Sequence, residues 1–173
     1  MVLDYPTKKQ DGQPADTVEE KQEQETEQEE QESDVYKSTA YVKRVIDGDT
    51  IILTDLEGYE GEERVRLLLI DTPEICHEHD DESCVSEPYG EEAKWFLANL
   101  IEGKKVTVER DVSERDRYGR LLFYVYLESG EMVQKLLLAE GLARVAVFPP
   151  DTKYELEFIS IQNDAKSKNK GIW

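Results

Sequence analysis

Three short segments combine the acidic and basic side chains that phosphate chemistry requires. They are residues 46–50 (IDGDT), 66–74 (RLLLIDTPE) and 116–120 (DRYGR). Their carboxylates offer oxygen ligands to a hard metal ion, and one further carboxylate can handle a water molecule. Their guanidinium groups can hold phosphate oxygens. Together the segments provide the groups needed to cut a phosphodiester.

Asp49 and Asp71 are the candidate metal ligands. Each stands at the end of a predicted strand, so strand pairing can bring their carboxylates together although they lie 22 positions apart. Two carboxylates, a backbone carbonyl and water molecules suit calcium, which accepts about six to eight oxygens in loose geometry. An isolated Asp in a turn more often forms the turn itself. The combination with the other segments favours a metal site.

Glu74, Arg66 and Arg120 complete the candidate set. Glu74 follows Asp71 by three residues, beyond a proline that fixes the direction of the chain. Its carboxylate can take a proton from an attacking water or orient that water. Guanidinium groups bind phosphate oxygens in pairs and stabilise charge that develops on phosphorus. We therefore predict catalytic roles for all three side chains.

Short apolar runs separated by turn residues predict the elements that position this set. Alternating runs predict five strands, over residues 41–46, 50–54, 64–70, 105–110 and 121–127. Apolar residues at helical spacing predict three helices, over residues 93–101, 131–140 and 152–167. This order favours the α+β class, with a small barrel flanked by helices. Periodicity alone does not give the strand order.

The order of the three segments, followed by a terminal Ile-Trp, resembles the staphylococcal nuclease (thermonuclease) family. The resemblance extends from residue 41 to residue 173. It implies an OB-fold, which is a five-stranded β-barrel with three α-helices. It also implies calcium-dependent cleavage of DNA and RNA that leaves 3′-phosphate ends, with single-stranded or locally open substrates favoured.

The resemblance also assigns roles to individual residues. The implied calcium ligands are two carboxylates and one backbone carbonyl, from Asp49, Asp71 and Thr72. The residues implied at the scissile phosphate and its attacking water are Arg66, Arg120 and Glu74. The residues implied to contact a further phosphate of the nucleotide are Arg117 and Tyr118.

One segment departs from the family pattern. Relatives carry two tyrosines separated by one residue after the second helix, whereas residues 146–150 read AVFPP and are one residue shorter. Phe148 keeps an aromatic surface for stacking but has no hydroxyl group. We therefore expect a changed affinity or base preference, with the cleavage residues unaffected.

Both cysteines and both histidines lie in one segment, residues 76–84. A disulfide between Cys76 and Cys84 is the preferred interpretation, and it fits an oxidising compartment. Free thiols and a zinc site stay open as alternatives, although the spacing matches no common zinc pattern.

The charge distribution divides the chain into two parts. Residues 1–35 hold 3 lysines and 12 acidic residues and little that can be buried, so we expect a disordered acidic tail or spacer. Residues 36–173 form the predicted nuclease-like domain. The net charge of −19 argues against nonspecific adhesion to nucleic acids. Phosphate binding must therefore come from a local cluster of cations and a metal.

Location, assembly and alternative functions complete the expectations. No stretch approaches the roughly 18 apolar residues of a membrane span, and no signal segment is visible. We expect a monomer that is extracellular or tethered to the cell surface, if a signal segment was removed. The alternatives to an enzyme are a catalytically weak module that binds nucleic acid or protein, and an acidic interaction protein that works through its tail.

Overall fold

The computed structural model describes residues 36–77, 80–81 and 83–173, so the predicted disordered tail, residues 1–35, lies outside the described residues. The strands are β1 (Lys37–Val45), β2 (Thr50–Thr54), β3 (Glu63–Leu67), β4 (Ile70–Asp71), β5 (Lys105–Glu109), β6 (Leu121–Tyr126) and β7 (Arg144–Val145). The helices are α1 (Gly90–Ile101), α2 (Val133–Ala139) and α3 (Glu155–Ser167). Among these helices, none is long and apolar enough to cross a membrane.

Five strands close into a barrel in the order β1-β2-β3-β6-β5. Neighbouring strands are antiparallel except β3 and β6, which run parallel. Along β3, Val65 and Leu67 are buried in the core, while Arg64 and Arg66 alternate with them on the outer face. The closed barrel and its three helices confirm the predicted α+β class and the OB-fold.

The predicted third strand, residues 64–70, is wrong at its end. β3 stops at Leu67, and Leu69 adopts a left-handed backbone with a φ of 61°. After this turn, Ile70 and Asp71 form β4, which pairs with β7 instead of continuing in the barrel. The turn therefore lifts Asp71 out of the barrel wall.

The two-residue strand β7 corresponds to no predicted element, and the remaining elements differ from the prediction only at their ends. β1 begins at Lys37, four residues earlier than predicted, because it pairs with β5 as far as Glu109. α1 begins at Gly90, three residues early, and the other two helices are shorter than predicted. The helical spacing of apolar residues fixes a buried face but does not mark where the first turn starts.

A buried carboxylate anchors the start of α3 to the barrel. Glu109 is 0% exposed and accepts hydrogen bonds from Lys153 Nζ at 2.6 Å, Tyr154 Oη at 2.9 Å and Tyr126 Oη at 2.9 Å. Burial raises the pKa of Glu109, but these hydrogen bonds and the lysine charge outweigh it and hold the pKa below the usual 4.5. These contacts hold Lys153 and Tyr154, directly before α3, against β5 and β6.

Replacing this carboxylate should destabilise the fold in a pH-dependent way. We expect Glu109→Gln to lower the free energy of unfolding by about 2–3 kcal/mol near neutral pH, because Lys153 loses its buried charged partner. A depressed folded-state pKa adds stability above the unfolded value of 4.5, and this stability is lost as pH falls through the folded-state pKa. Urea unfolding curves of parent and variant should differ at neutral pH and approach each other in acid. A difference that does not change with pH would contradict the account.

Candidate active site

Arg66 lies between the two predicted metal ligands, Asp49 and Asp71. Its Nη1 contacts Asp49 Oδ1, and its Nη2 donates to Asp71 Oδ1 at 2.7 Å and to the backbone oxygen of Ile70 at 3.1 Å. Asp49 is brought here because its backbone oxygen accepts the N–H of Leu67, at the end of β3, at 2.9 Å. The turn that follows β3 brings Asp71. Both acids therefore converge on one cation.

Asp49 is a buried carboxylate with several polar partners. It is 3% exposed and accepts hydrogen bonds from the Thr72 N–H at 3.2 Å and from the Thr50 hydroxyl at 3.1 Å. Burial raises the pKa of Asp49 to about 7, although the nearby charge of Arg66 opposes the shift. Additional positive charge at this point would favour the ionised form.

We call Asp49, Asp71 and Thr72 the acidic corner. The two carboxylates face the same guanidinium, and the backbone of Thr72 is hydrogen-bonded to Asp49. The donors available here are oxygens, which calcium and magnesium prefer. A divalent cation would also offset the cost of burying Asp49. The three predicted ligands therefore lie together and fit a hard metal ion.

Arg120 is fixed by Asp116 and reaches the same region. Its Nε donates to Asp116 Oδ2 at 2.7 Å, and its Nη1 donates to the Thr50 hydroxyl at 3.4 Å. Asp116 also accepts the backbone N–H groups of Tyr118 and Arg120, each at 2.9 Å. Burial raises the pKa of Asp116, but the hydrogen bonds from Arg120 and Tyr118 outweigh it and hold the pKa below its usual range. The guanidinium thus has a fixed orientation before any phosphate arrives.

Thr50 joins the two arginines, a role that residue types and spacing alone do not reveal. Its hydroxyl accepts from Arg120 and donates to Asp49, which contacts Arg66. Thr50 is 0% exposed. The sequence signal for Thr50, as for Asp116 that orients Arg120, is its position inside one of the motif segments. No spacing rule predicts a hydrogen bond between residues 70 positions apart.

Glu74 follows the acidic corner on a firmly held backbone. Its N–H donates to Glu87 Oε2 at 3.2 Å, and its carbonyl accepts the Glu87 N–H at 2.8 Å. α1 packs so closely that a Cβ added at Gly90 would lie 2.8 Å from the Glu74 carbonyl oxygen. The Glu74 side chain is exposed, and its carboxylate forms no hydrogen bond or ion pair with any described residue. The structure therefore does not join this carboxylate to Arg66 or Arg120.

A cavity of about 450 Å³ adjoins the arginines, and we call it the aromatic cavity. Its lining includes all the predicted phosphate-binding and stacking residues, namely Arg66, Arg117, Tyr118, Arg120 and Phe148. Tyr118 is 67% exposed and Phe148 is 72% exposed, so both rings are available to a ligand. The Arg117 guanidinium lies 4.7 Å from the Tyr118 ring centroid and donates to its hydroxyl at 2.6 Å.

Cys76 and Cys84 are bonded to each other in the structure, with a sulfur–sulfur distance of 1.97 Å. Both sulfurs are thereby used, so the zinc site and the free thiols considered for this segment do not occur in this state. The bond closes a loop between Glu74 and α1. Residues 78, 79 and 82 of that loop lie outside the described residues.

Comparison with known proteins agrees with this geometry. The model of the staphylococcal nuclease homologue family matches residues 64–173. The SPbeta prophage-derived endonuclease YokF of Bacillus subtilis (strain 168) is 47% identical over 133 residues, which cover 75% of this chain and 42% of YokF. The endonuclease YncB of the same strain is 47% identical over 133 residues, covering 75% of this chain and 59% of YncB. The thermonuclease of Staphylococcus intermedius is 40% identical over 141 residues, covering 82% of this chain and 79% of that protein.

The match is therefore partial for some relatives and nearly complete for others. The chain spans less than two thirds of the two Bacillus endonucleases but most of the Staphylococcus thermonuclease. The part matched by the family model contains Arg66, Asp71, Glu74 and Arg120. With its closed barrel, three helices and clustered acids and arginines, the chain belongs to the family of staphylococcal nuclease homologues.

Proposed function

We propose that the protein is a calcium-dependent nuclease that hydrolyses phosphodiester bonds of DNA and RNA and leaves 3′-phosphate ends. The observation that carries the proposal is the hydrogen-bonded series from Arg120 through Thr50 and Asp49 to Arg66, beside the acidic corner and the aromatic cavity. The relatives named thermonuclease and endonuclease support the reaction class.

Each part of the site has a separate role in this reaction. Arg66 and Arg120 bind the phosphate oxygens and offset the negative charge that develops as water attacks. Glu74 accepts or orients the proton of that water. When bound by the acidic corner, calcium supplies further positive charge to the phosphate. The water oxygen bonds to phosphorus while the bond to the 5′ oxygen breaks, so the phosphate stays on the 3′ oxygen.

Features of the aromatic cavity favour single-stranded or locally open substrates. Tyr118 and Phe148 expose their rings at its edge, and a base can stack on such a ring only when it has left a duplex stack. Arg117 adds a cation beside Tyr118 for a neighbouring phosphate. Phe148 offers a stacking surface without a hydroxyl, which supports binding that depends little on hydrogen bonds to the base.

The proposed place of action is outside the cytoplasm, either in the medium or at the cell surface. The bond between Cys76 and Cys84 supports it, because disulfides persist mainly in oxidising compartments. Mass measurement after alkylation, with and without reductant, tests whether this bond is present in the protein isolated from its source. Alkylation of both thiols without reductant would count against the proposal.

Product analysis tests the proposed reaction. Purified protein is incubated with single-stranded DNA, duplex DNA and RNA in calcium, and the ends are analysed. We expect fragments whose 5′ hydroxyl accepts phosphate from a kinase without prior phosphatase treatment, with single strands cut fastest. Binding without fragmentation would indicate the alternative, a binding module. Fragments with 5′-phosphate ends would contradict the proposed bond breakage.

Gly48 connects the fold to the proposed calcium site. A Cβ added at Gly48 would lie 2.5 Å from Thr72 Oγ1 and 2.9 Å from the Cβ of Ala93. We expect Gly48→Ala to cost about 1–3 kcal/mol of unfolding free energy, because a packed site tolerates no added methyl group. Displacement of Thr72 should also raise the calcium concentration needed for half-maximal activity, as measured by calcium titration.

A control separates this local effect from lost stability. Gly103 has open space around its Cβ position but a φ of 72°, so Gly103→Ala should be destabilised by backbone strain alone. We expect its calcium requirement to equal that of the parent. Equal calcium requirements in the Gly48 and Gly103 variants would show that Gly48 does not position the acidic corner.

A further inference from the structure

A second cavity, of about 500 Å³, lies on the outer face of the barrel, and we call it the basic cavity. Its charged side chains are Arg44 from β1, Arg64 from β3 and Lys94 from α1. No carboxylate is among its described lining residues, and the nearby Asp80 carboxylate accepts the backbone N–H of His77. His77, next to the disulfide, lines the same cavity. The basic cavity is distinct from the aromatic cavity, with which it shares no lining residue.

The three cations belong to the unpaired minority of lysines and arginines in the described part of the chain. The chain has 40 acidic and 21 basic residues, so most cations have a carboxylate within reach. More than half of the lysines and arginines in the described part of the chain form ion pairs. Arg44, Arg64 and Lys94 form none with any described residue. Their positive charge is therefore available to a ligand.

Strand register places these cations in line with the catalytic arginine. Ile52 of β2 pairs with Arg44 on one side and with Arg64 on the other, so the three residues form one row across the barrel. In the next outward-facing row, Thr50 pairs with Arg66. Arg64 and Arg66 are two residues apart on the same face of β3, a separation of about 7 Å along the strand. Arg66, beside the acidic corner, is thus followed on the same face of the barrel by Arg64 and Arg44, which line the basic cavity.

We propose that the basic cavity is an additional phosphate-binding subsite, which holds the substrate strand beyond the phosphodiester that is cut. This inference rests on the proposed nuclease function. When one phosphate of the substrate strand lies at Arg66, the next phosphate lies near Arg64. The phosphate after that lies between Arg44 and Lys94. Three cations in a cavity with no carboxylate among its described lining residues suit this backbone and carry no preference for a base. Through this subsite an acidic protein can bind long polyanions by local positive charge.

Binding measured without cleavage tests the subsite. The triple variant Arg44→Gln, Arg64→Gln, Lys94→Gln and the parent are titrated with fluorescent oligothymidylates of about 3 and about 12 nucleotides in EGTA. Loss of three phosphate contacts reduces the salt dependence of binding. When salt is raised from about 50 to about 200 mM, both proteins lose affinity for the longer strand, and the parent's loss should be about 20-fold larger than the variant's. For the shorter strand the same difference between parent and variant should be at most about threefold, because no more than one contact is affected.

A matched control removes the same charge elsewhere. Lys105 is exposed on β5, Lys166 on α3, and Lys168 directly after α3, where it pairs with Asp164. The triple variant with glutamine at these positions should bind both strands with the parent's salt dependence. Three results would overturn the subsite. The first is the same reduction of salt dependence in both triple variants, the second is the same reduction for short and long strands, and the third is no reduction in the Arg44, Arg64 and Lys94 variant. Failure of the nuclease function itself has a different signature, which is absence of cleavage by the parent in calcium.

Discussion

Arg120→Lys is expected to lower kcat/KM for DNA cleavage about 10²–10³-fold while the protein stays folded. In the structure the Arg120 guanidinium donates to Asp116 with Nε and to Thr50 with Nη1, which leaves its remaining N–H groups for a phosphate. A lysine retains the charge but has one nitrogen on a flexible stem, so it cannot keep both contacts and also bind phosphate oxygens in pairs. The loss should fall mainly on kcat, since the contact is needed most as charge develops.

The control is a lysine in place of Arg144, which is the strand partner of Asp71 but forms no ion pair with any described residue. Arg144 is exposed on β7 and lies over the Trp173 ring at 5.8 Å, and Arg144→Lys should retain the activity of the parent. Steady-state kinetics on a single-stranded oligonucleotide measure both variants, and thermal unfolding checks that they are folded. Activity of Arg120→Lys within about twofold of the parent would mean that the paired N–H groups of the guanidinium are not needed for cleavage.

Glu74→Gln is expected to lower kcat about 10²–10⁴-fold, the usual contribution of a group that handles a proton in the transition state. Glutamine has nearly the same shape and can still hold a water molecule, but it cannot accept its proton. The Glu74 carboxylate makes no hydrogen bond or ion pair with the described residues, and its backbone is held independently by Glu87. Stability and substrate affinity should therefore hardly change.

A neighbouring glutamate supplies the matched control. Glu91 lies exposed in the first turn of α1, and Glu91→Gln removes the same charge a short distance along the chain. We expect parent-like kcat and KM for this variant. If Glu74→Gln raised KM and left kcat unchanged, Glu74 would act in binding rather than in activating or orienting the water.

Residue types and order were sufficient to predict much of this architecture. The alternation along β3 separates buried Val65 and Leu67 from exposed Arg64 and half-buried Arg66, so the outward position of Arg66 follows from the pattern. The motif segments also place Asp49, Asp71 and Arg120 in one protein region once the strands pair. These features are local, or depend on strand ends that turn residues mark clearly.

Other features depend on contacts that no local pattern contains. The turn at Leu69 interrupts a run of apolar residues without Gly, Asn or Pro, so periodicity extends the strand through it. Thr50 links the arginines only because β2 and β6 lie on either side of β3, so that the Arg120 side chain, directly before β6, reaches across β3 to Thr50. The basic cavity draws its cations from β1, β3 and α1, and only strand register and the position of α1 against the barrel bring them to one cavity.

The most direct test of the central claim is the rate at which the purified protein degrades a single-stranded oligonucleotide as calcium is varied. The two carboxylates of the acidic corner both face Arg66, and the proposed calcium would bind them and add positive charge beside the phosphate, so we expect the reaction to need calcium. We predict rapid cleavage in calcium, none in excess chelator, and recovery when calcium is restored. Undiminished cleavage in chelator, or no cleavage at any calcium concentration, would contradict the proposed mechanism.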